Sequence, residues 1–457
     1  MDIIAAISTG QAATAIGIVR VSGEGCFALC DQVFQARNGK PFSTQEPRKM
    51  TYGDILDSTG RVIDRGLAVR FPGPRSYTGE DSAEFHCHGS PVVLRELLSA
   101  LFAAGARQAR AGEFTQRAFL NGQLDLTQAE AVIDLIDAET AAAARNAAAQ
   151  LDGGLRRKLE PIQEALLDIS SRFYAVVDYP DEDIEDIRPE QVAQALETSC
   201  AALDQLLATC QRGRVLKSGV RTAIVGRPNA GKSSLLNALV GYDRAIVTHI
   251  PGTTRDTVEE SVLCGGVLLR LIDTAGIRDT DDIVEKMGVE RSRKALETAD
   301  LVLAVVDGSE DITAEDLEIL SAAAKHDPWV LVLSKKDLGG SPAIGVMGLA
   351  HSPAAVVSLS SVTGEGLVEL EAAVAALFPA GDAAETGTLL TDQRQEEAVT
   401  RARAAIRRAA QALEAGLTPD AILTDAEEAL DALGELTGRT AKEEIVSRIF
   451  SRFCVGK

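Results

Sequence analysis

The residues best suited to chemistry lie in the segment VRTAIVGRPNAGKSSLLNAL, where an apolar run leads into a glycine-rich loop and then a helical pattern. The loop, residues 226–233, matches G-x-x-x-x-G-K-S, the signature of a phosphate-binding loop. Gly226 and Gly231 let the backbone curl so that its N–H groups face phosphates. Lys232 offers a positive charge to the β and γ oxygens, and Ser233 offers a hydroxyl to Mg²⁺. The sequence therefore predicts a site for a nucleoside triphosphate.

Two later motifs distinguish between ATP and GTP. Asp273-Thr274-Ala275-Gly276 follows the apolar run LLRLI, where the carboxylate reaches Mg²⁺ through water and the glycine N–H meets the γ-phosphate. Ser334-Lys335-Lys336-Asp337 ends the run WVLVL and resembles N-K-x-D, whose Asp accepts hydrogen bonds from the two N–H donors of guanine. Ser334 replaces the usual Asn, so we expect weaker fixing of the base loop but retained selection of guanine. Ser360-Ser361-Val362 partly matches the S-A-K loop of GTPases.

The segment HIPGTTRD lies between these motifs and is predicted to be a switch. Thr254 is placed to give Mg²⁺ a second hydroxyl and to close over the γ-phosphate. Position 277 is Ile, not the Gln that orients water in Ras-type enzymes. Hydrolysis then needs other groups, and the amide oxygen of Asn229 is a candidate ligand for a monovalent cation. Glu285 is a candidate for orienting water, although its position alone does not separate it from neighbouring solvated acids.

The composition limits the class of protein. A length of 457 residues predicts two to four domains, and 46% hydrophobic with 25% charged residues excludes wholesale disorder. The net charge of −21 argues against a protein that binds nucleic acid through its own basic surface. Seven scattered cysteines without C-x-x-C spacing favour free thiols in a reducing cytosol. Neither a signal peptide nor an apolar run of about 18 residues is present, so we expect a cytoplasmic protein without a membrane segment.

The patterns of strands and helices predict a multidomain α/β plus α protein. Runs such as AIGIVRV and VIDRGLAVRF predict a strand-rich α+β domain over residues 1–120. From Leu151 to Phe173 an apolar residue recurs every three or four positions, which predicts one buried helix stripe inside a helical domain, 121–215. Alternating apolar and helical stretches predict an inserted α/β domain over 216–379, with a parallel sheet covered by helices on both faces. Residues 380–457 are helical again and are predicted to complete the domain that the insert splits.

Three features contain residue types that bind metals or react. Residues 178–186 include six carboxylates but no His, which favours a solvated loop between helices over a metal site. His86-Cys87-His88 alternate between the faces of a strand and do not converge on one ion. Cys454 is either a thiolate nucleophile or an inert buried thiol.

Five segments, in order along the chain, carry a resemblance to a known family: SYTGEDSAEFHCHG, AFLNGQLDLTQAEAVIDLI, GRPNAGKSSLLN, IPGTTRD and FCVGK. They resemble the MnmE (TrmE) family of tRNA modification GTPases, and the resemblance covers essentially the whole chain. It implies an N-terminal domain like tetrahydrofolate-binding domains, a split helical domain and an inserted Ras-like P-loop GTPase domain. It also implies GTP hydrolysis in which K⁺ takes the place of an arginine finger.

The motifs and the resemblance together assign residues to ligands. Those for GTP are Asn229, Ala230, Gly231, Lys232, Ser233, Ser234, Thr248, His249, Ile250, Pro251, Gly252, Thr253, Thr254, Asp273, Thr274, Ala275, Gly276, Lys335 and Asp337. The resemblance implies Mg²⁺ contacts from Ser233 and Thr254, and K⁺ contacts from Asn229, Thr248, Ile250 and Thr253. The catalytic set is Glu285, Asn229, Lys232 and Cys454.

A tetrahydrofolate derivative is implied at Arg20, Glu80, Gln123 and Lys457. Arg20 is suited to the glutamate tail of the folate and Glu80 to the amino edge of its pterin. The family often has Lys or Arg where this chain has Gln123, so we expect a hydrogen bond and not a charge contact at that corner.

The resemblance also implies partners. These are a second copy of the chain, bound through the N-terminal domain, and a flavoprotein called MnmG or GidA in a heterotetramer. The pair adds a (carboxymethyl)aminomethyl group to carbon 5 of the wobble uridine of certain tRNAs, and the negative charge of this chain fits a tRNA held mainly by the partner. A GTP-switched RNA or ribosome assembly factor is the alternative, although such factors usually carry a basic RNA-binding domain. A scaffold with a degenerate nucleotide site conflicts with the intact Lys232, Ser233, Thr254 and Asp273.

Overall fold

The computed structural model describes residues 2–10, 12–178, 188–242, 260–272, 296–340, 350–379 and 386–456. The chain forms two compact units. The first contains Met1–Ile133, Gln150–Cys200 and Arg401–Lys457, and the second contains Asp134–Ala149 and Ala201–Thr400. No helix among the described residues has the length and apolar character needed to span a membrane. The four domains and their boundaries stay a prediction.

The helices of the described residues include α1 to α14 in chain order. Their bounds are α1 Cys26–Cys30, α2 Pro91–Ala103, α3 Glu113–Leu120, α4 Leu126–Ile136, α5 Ala141–Leu151, α6 Gly154–Asp178, α7 Pro189–Leu207, α8 Cys210–Ser218, α9 Lys232–Tyr242, α10 Ala314–Ala323, α11 Leu367–Leu377, α12 Gln393–Glu414, α13 Pro419–Thr437 and α14 Glu443–Phe450.

A seven-stranded sheet forms the N-terminal part of the first unit. Its strands are β1 Ile4–Ile7, β2 Thr14–Ser22, β3 Phe34–Ala36, β4 Thr51–Leu56, β5 Val62–Phe71, β6 Ser82–Gly89 and β7 Arg107–Gln108. Their order is β3-β4-β5-β6-β2-β1-β7, and all neighbours pair antiparallel except β1 and β7. The predicted strand-rich domain is confirmed, with AIGIVRV in β2 and VIDRGLAVRF as β5.

The helical part of the first unit joins segments from both sides of the insert. The apolar stripe of α6 is buried from Leu155 to Phe173, as predicted. Leu151 belongs to α5, because the turn at Gly153, with φ +81°, separates the two helices; including Leu151 in one continuous helix was wrong. Helix α6 packs against α13, and the Tyr174 hydroxyl donates to Glu427 across this contact. The predicted acidic loop falls largely on residues 179–187, outside the described residues.

The second unit contains a six-stranded sheet. Its strands are β8 Val220–Val225, β9 Glu260–Cys264, β10 Val267–Leu271, β11 Leu301–Asp307, β12 Trp329–Ser334 and β13 Ala355–Ser358, in the order β13-β12-β11-β8-β10-β9. All neighbours are parallel except β9 and β10, so the prediction of a purely parallel sheet was wrong at this edge. Gly265 and Gly266, with φ +59° and +80°, make the two-residue turn of this hairpin, which needs positive φ at both positions.

Helices cover both faces of this sheet, as predicted. Alternate residues of β11 enter different cores: Leu303 and Val305 pack with α9 and α11, whereas Val302 and Val306 pack with α10. A strand buried on both faces reads as a continuous apolar run, which is how LVLAVVD appears in the sequence. The fold class expected from the sequence is therefore confirmed.

Candidate functional site

Strand β8 pairs parallel with β10 and with β11, and β11 pairs parallel with β12. The carboxyl ends of β8, β10 and β12 therefore lie at the same edge of the sheet. Each is followed at once by one predicted motif: the phosphate-binding loop, the D-T-A-G segment and the S-K-K-D segment. Ligands of open α/β sheets bind at this edge. The topology therefore brings the phosphate-binding loop and the S-K-K-D segment, which are far apart in the sequence, to the same edge of the sheet.

Backbone geometry in the phosphate-binding loop accounts for its residue types. A Cβ on Gly226 would lie 2.4 Å from the carbonyl oxygen of Val305, so only glycine fits beside strand β11. Gly231 has φ +98°, and a Cβ there would lie 3.1 Å from the Ser334 hydroxyl. Asn229 is exposed and has φ +61°, a left-handed conformation that Asn tolerates better than most residues. The loop thus presents the Asn229 amide outward and keeps Gly231 against the base motif.

Lys232 begins α9 and its side chain lies across the loop. Its Nζ donates to the carbonyl oxygens of Gly226 at 2.7 Å and Arg227 at 2.8 Å. Burial lowers the pKa of Lys232, and Glu315 opposes this effect. A phosphate arriving at the start of α9 would also favour the charged form of the lysine, because an opposite charge stabilises it. The lysine is therefore held at the position where a phosphate would meet the helix N-terminus.

Ser334 joins the base motif to the phosphate-binding loop. Its buried hydroxyl lies 2.5 Å from the carbonyl oxygen of Ala230 and 3.2 Å from that of Val306. A hydroxyl has one proton, so it donates to one of these at a time, and the shorter distance favours Ala230. The sequence led us to expect weaker fixing of the base loop, yet in the structure the serine reaches the loop directly.

The rest of the base motif is held by two polar contacts. Lys335, with φ +58°, donates to the buried carboxylate of Asp307 at 2.6 Å. Burial raises the pKa of Asp307, but hydrogen bonds from Lys335 and Ser309 outweigh it and hold the pKa below its ordinary value. The buried Ser360 hydroxyl donates to Asp337 at 2.6 Å and orients the carboxylate predicted to read guanine. This gives the partly matching S-A-K segment a structural role.

Several predicted site residues lie outside the described residues. They are Thr248, His249, Ile250, Pro251, Gly252, Thr253, Thr254, Asp273, Thr274, Ala275, Gly276, Glu285 and Lys457. Ser233 and Ser234 lie in the first turn of α9, and Ile272, the residue before Asp273, donates its N–H to the carbonyl of Thr222 at 3.0 Å.

The N-terminal sheet carries the residues assigned to folate. Arg20 on β2 pairs with Glu84 on β6 at 2.8 Å, and its guanidinium lies 5.3 Å from the ring centre of Tyr77 and 5.7 Å from that of Phe114. Ser22, two positions along β2, donates to Glu80 at 2.9 Å. Because residues i and i+2 of a strand share a face, Arg20 and Glu80 lie on one side of the sheet.

A buried ion-pair network, which the sequence analysis missed, supports Glu80. Arg117 on α3 donates to Glu80 at 3.0 Å, to Asp2 at 2.9 Å and to Glu113 at 3.2 Å. Glu113 also pairs with Arg107 at 2.5 Å. Burial raises the pKa of Glu113, but the hydrogen bonds from Arg107 and Arg117 outweigh it and lower the pKa to about 2.

The C-terminal segment docks on the same domain. Val455 forms an antiparallel bridge with Ala111, and Ser8 donates its hydroxyl to the carbonyl of Gly456 at 3.0 Å. The Cys454 side chain is exposed, which is not the buried inert position that the sequence left open. Gln123 is exposed and packs over Gly79, where a Cβ would lie 3.2 Å from its Cγ.

The His86-Cys87-His88 segment lies in β6. Cys87 is buried, whereas His88 is exposed, and its Nδ1 atom lies 2.8 Å from Oδ1 of Asp64. Within the described ranges, no group of three or more His, Cys, Asp or Glu residues is arranged to hold a metal ion.

Two family models together match most of the chain. A model of the TrmE N-terminus matches residues 3–123, and a model of the MnmE helical domain matches residues 126–454. A "tRNA modification GTPase MnmE" of Symbiobacterium thermophilum is 45% identical over 100% of this chain and 99% of its own length, and one of Roseiflexus sp. is 44% identical with the same coverage. A solved structure of Era with MgGDPNP and part of 16S ribosomal RNA is 28% identical over 41% of this chain and 66% of that chain, with a TM-score of 0.27. The full-length matches establish that the chain belongs to the MnmE (TrmE) family of tRNA modification GTPases.

Proposed function

We propose that this protein is a K⁺-dependent GTPase that works with a flavoprotein partner to add a (carboxymethyl)aminomethyl group at carbon 5 of the wobble uridine of certain tRNAs. The observation that carries the proposal is the phosphate-binding loop. Its lysine, its glycines and the base motif meet at the carboxyl ends of parallel strands. Full-length similarity to tRNA modification GTPases gives the reaction in which the hydrolysis takes part.

The described residues divide the work of binding GTP. Lys232 and the first N–H groups of α9 would hold the β and γ phosphates, and Ser233 would ligate Mg²⁺. Asp337, oriented by Ser360, would accept from the N–H donors of guanine. Lys335 keeps the base motif in place through Asp307.

Hydrolysis needs compensation for negative charge between the β and γ phosphates. K⁺, when bound, supplies positive charge there in place of an arginine finger. The residues present fit such an ion, because Asn229 is exposed in a left-handed turn of the loop and its amide oxygen is a suitable ligand. We propose Thr248, Ile250 and Thr253 as its other ligands, Thr254 as the second Mg²⁺ ligand and Glu285 as the residue that orients water.

The N-terminal domain would bind a tetrahydrofolate derivative. Arg20 lies between two aromatic rings and beside Glu84, so its charge is already shared with a carboxylate. A folate glutamate tail would therefore compete with Glu84 for this arginine. Glu80 is held by Ser22 and Arg117 in an orientation that leaves it suited to a pterin amino edge, with Gln123 and Lys457 completing the proposed set.

We propose a cytoplasmic homodimer that forms a heterotetramer with the flavoprotein MnmG and meets tRNA mainly through that partner. The net charge of −21 supports this division, because an acidic chain repels phosphates over most of its surface. The exposed Cys454 beside the folate-like domain supports a catalytic thiol near the modification.

Two measurements test the proposal. GTP turnover of the purified protein in K⁺ and in Na⁺ at equal ionic strength should be much faster in K⁺, and equal rates would contradict a K⁺-dependent mechanism. Mass spectrometry of wobble uridines from cells lacking the protein should show loss of the modification. An assembly factor would instead leave the wobble uridines unchanged and alter ribosome maturation.

A further inference from the structure

A pocket of about 600 Å³ lies within the first unit, lined by α3 and the turn after it, by α6 and by the segment from the end of α13 into α14. The described residues assigned above to GTP or folate are not among those that line it. Its polar and aromatic lining consists of one aromatic ring, two arginines, two carboxylates and two glutamine amides: Phe119, Arg156, Arg439, Asp125, Glu160, Gln116 and Gln163.

The aromatic wall is held in a fixed position. Gly438 has φ +91°, and a Cβ there would lie 2.5 Å from the Phe119 ring. Behind it, the Phe450 ring centre lies 6.2 Å from that of Phe119. A ring that is packed in this way and still lines a pocket is a suitable surface for a planar group to stack on.

The side chains of the two arginines are open to a ligand. Arg439 is exposed, Arg156 forms only a long i,i+4 ion pair with Glu160 at 3.9 Å, and neither side chain donates a hydrogen bond to a residue in the described ranges. By contrast, Arg401 pairs with Glu435 at 2.5 Å and Arg408 with Asp425 at 2.8 Å. The two guanidinium groups lie at one pocket beside the carboxylates of Asp125 and Glu160, and the guanidinium fork suits the phosphate of a ligand.

The glutamines add a requirement for a ligand that both donates and accepts. Gln163 is 6% exposed, yet its amide has no hydrogen-bond partner among the residues that the structure describes. Gln116 is likewise without a side-chain partner in that part of the chain. Both amides are therefore open to a ligand, and the two donors and one acceptor of each match the edge of a nucleobase.

We propose that this pocket binds one unstacked nucleotide of an RNA. The base would stack on Phe119, its edge would meet Gln116 and Gln163, and a neighbouring phosphate would lie on Arg156 and Arg439. The inference rests on the proposed role in tRNA modification and deepens it, because it places a direct RNA contact on a chain whose overall charge is unfavourable for RNA.

The test measures binding of the full-length protein to a labelled anticodon stem–loop and to a fully paired RNA duplex of equal length, over a series of salt concentrations. Replacing Arg156 and Arg439 by Gln should weaken stem–loop binding by about tenfold or more, and should lower the slope of log affinity against log salt by about 0.7 for one phosphate. Gln163→Met, which keeps the side-chain volume, should weaken binding by about three- to tenfold without changing that slope. Duplex binding should be the same in all variants.

Arg408→Gln is the matched control, because it removes an exposed, paired arginine of the same unit. Variants that bind the stem–loop as the parent does would overturn the proposal, as would a parent that binds the duplex as tightly as the stem–loop. Binding of uridine 5′-monophosphate alone is measured as well, because it shows whether the pocket takes a free nucleotide or a nucleotide that is part of an RNA. If the variants lose affinity for it while stem–loop binding is unchanged, the pocket serves a free nucleotide and the RNA proposal is wrong.

Failure of this inference can be told from failure of the proposed function. GTP turnover and wobble-uridine analysis in cells lacking the protein do not depend on the pocket being an RNA contact. If both behave as expected while the arginine variants bind RNA normally, only the pocket is misassigned. If deletion leaves the wobble uridines unchanged, the proposed function is wrong whatever the binding results.

Discussion

The buried carboxylate of Glu113 gives a prediction whose size follows from the structure. Arg107 and Arg117 hold its pKa at about 2, against an ordinary value of 4.5, while the side chain is almost fully buried. A difference of about 2.5 at 1.36 kcal/mol per pKa unit corresponds to about 3 kcal/mol of stability at neutral pH. Glu113→Gln keeps the shape but removes the charge, so we expect it to lower the free energy of unfolding of the first unit by about 3 kcal/mol.

The pH dependence follows from the direction of the pKa change. A carboxyl whose pKa is lower in the folded state contributes its full stability above about pH 4.5, and the contribution disappears as the pH falls through about 2. The difference in free energy of unfolding between the parent and Glu113→Gln should therefore be about 1.4 kcal/mol smaller at pH 3.5 than at pH 6.

Urea unfolding followed by circular dichroism at the two pH values measures this difference. The single tryptophan, Trp329, is buried in the sheet of the second unit, so its fluorescence should report a transition that the substitution does not move. Glu46→Gln removes an exposed carboxylate paired with Lys49 and should leave both transitions unchanged. A Glu113→Gln effect of equal size at both pH values would refute the electrostatic reasoning and leave packing as the cause.

Further predictions concern the GTP site and the C-terminus. Glu285→Ala should slow GTP hydrolysis by about 10²-fold or more with little change in GTP affinity, as measured by turnover and nucleotide titration. Asp337→Asn should lower the affinity for GTP and raise the affinity for xanthosine triphosphate, as measured by competition binding. A retained preference for GTP would place the base contact elsewhere. Ser334→Ala should cost about 1–3 kcal/mol in thermal unfolding of the second unit, because the Ala230 carbonyl loses its buried donor. Removing residues 454–457 should abolish tRNA modification and weaken binding of a reduced folate while K⁺-stimulated hydrolysis continues; normal modification would remove Cys454 from the catalytic set.

Local sequence patterns predicted the strands and helices well, because the spacing of apolar residues that marks each element is visible within a short segment. The runs LVLAVV and WVLVL, which form β11 and β12, are continuous and apolar, and the loop after β8 has its own signature. The hairpin of β9 and β10 was missed although Gly265-Gly266 between two apolar runs signals such a turn. Apolar runs alone do not give strand direction.

Contacts between distant residues were not predictable in this way. Ser334 reaches a carbonyl 104 residues earlier in the chain, and a motif comparison sees only that it is not Asn. Arg117 looks like any polar residue of an amphipathic helix, and its three carboxylate partners come from three separate segments. Such networks depend on how the elements pack, which the spacing of residues along one element does not contain.

The hydrogen bond between Ser8 and Gly456 has a consequence for the order of events during synthesis. The two residues are 448 positions apart. At about 5–20 residues per second, the ribosome makes Gly456 about 20–90 s after Ser8. The part of the N-terminal domain around Ser8 and Ala111 therefore lacks its C-terminal partner segment during the time in which the whole second unit is synthesised. This interval is long enough for that edge to meet a chaperone or another nascent chain before its own partner exists.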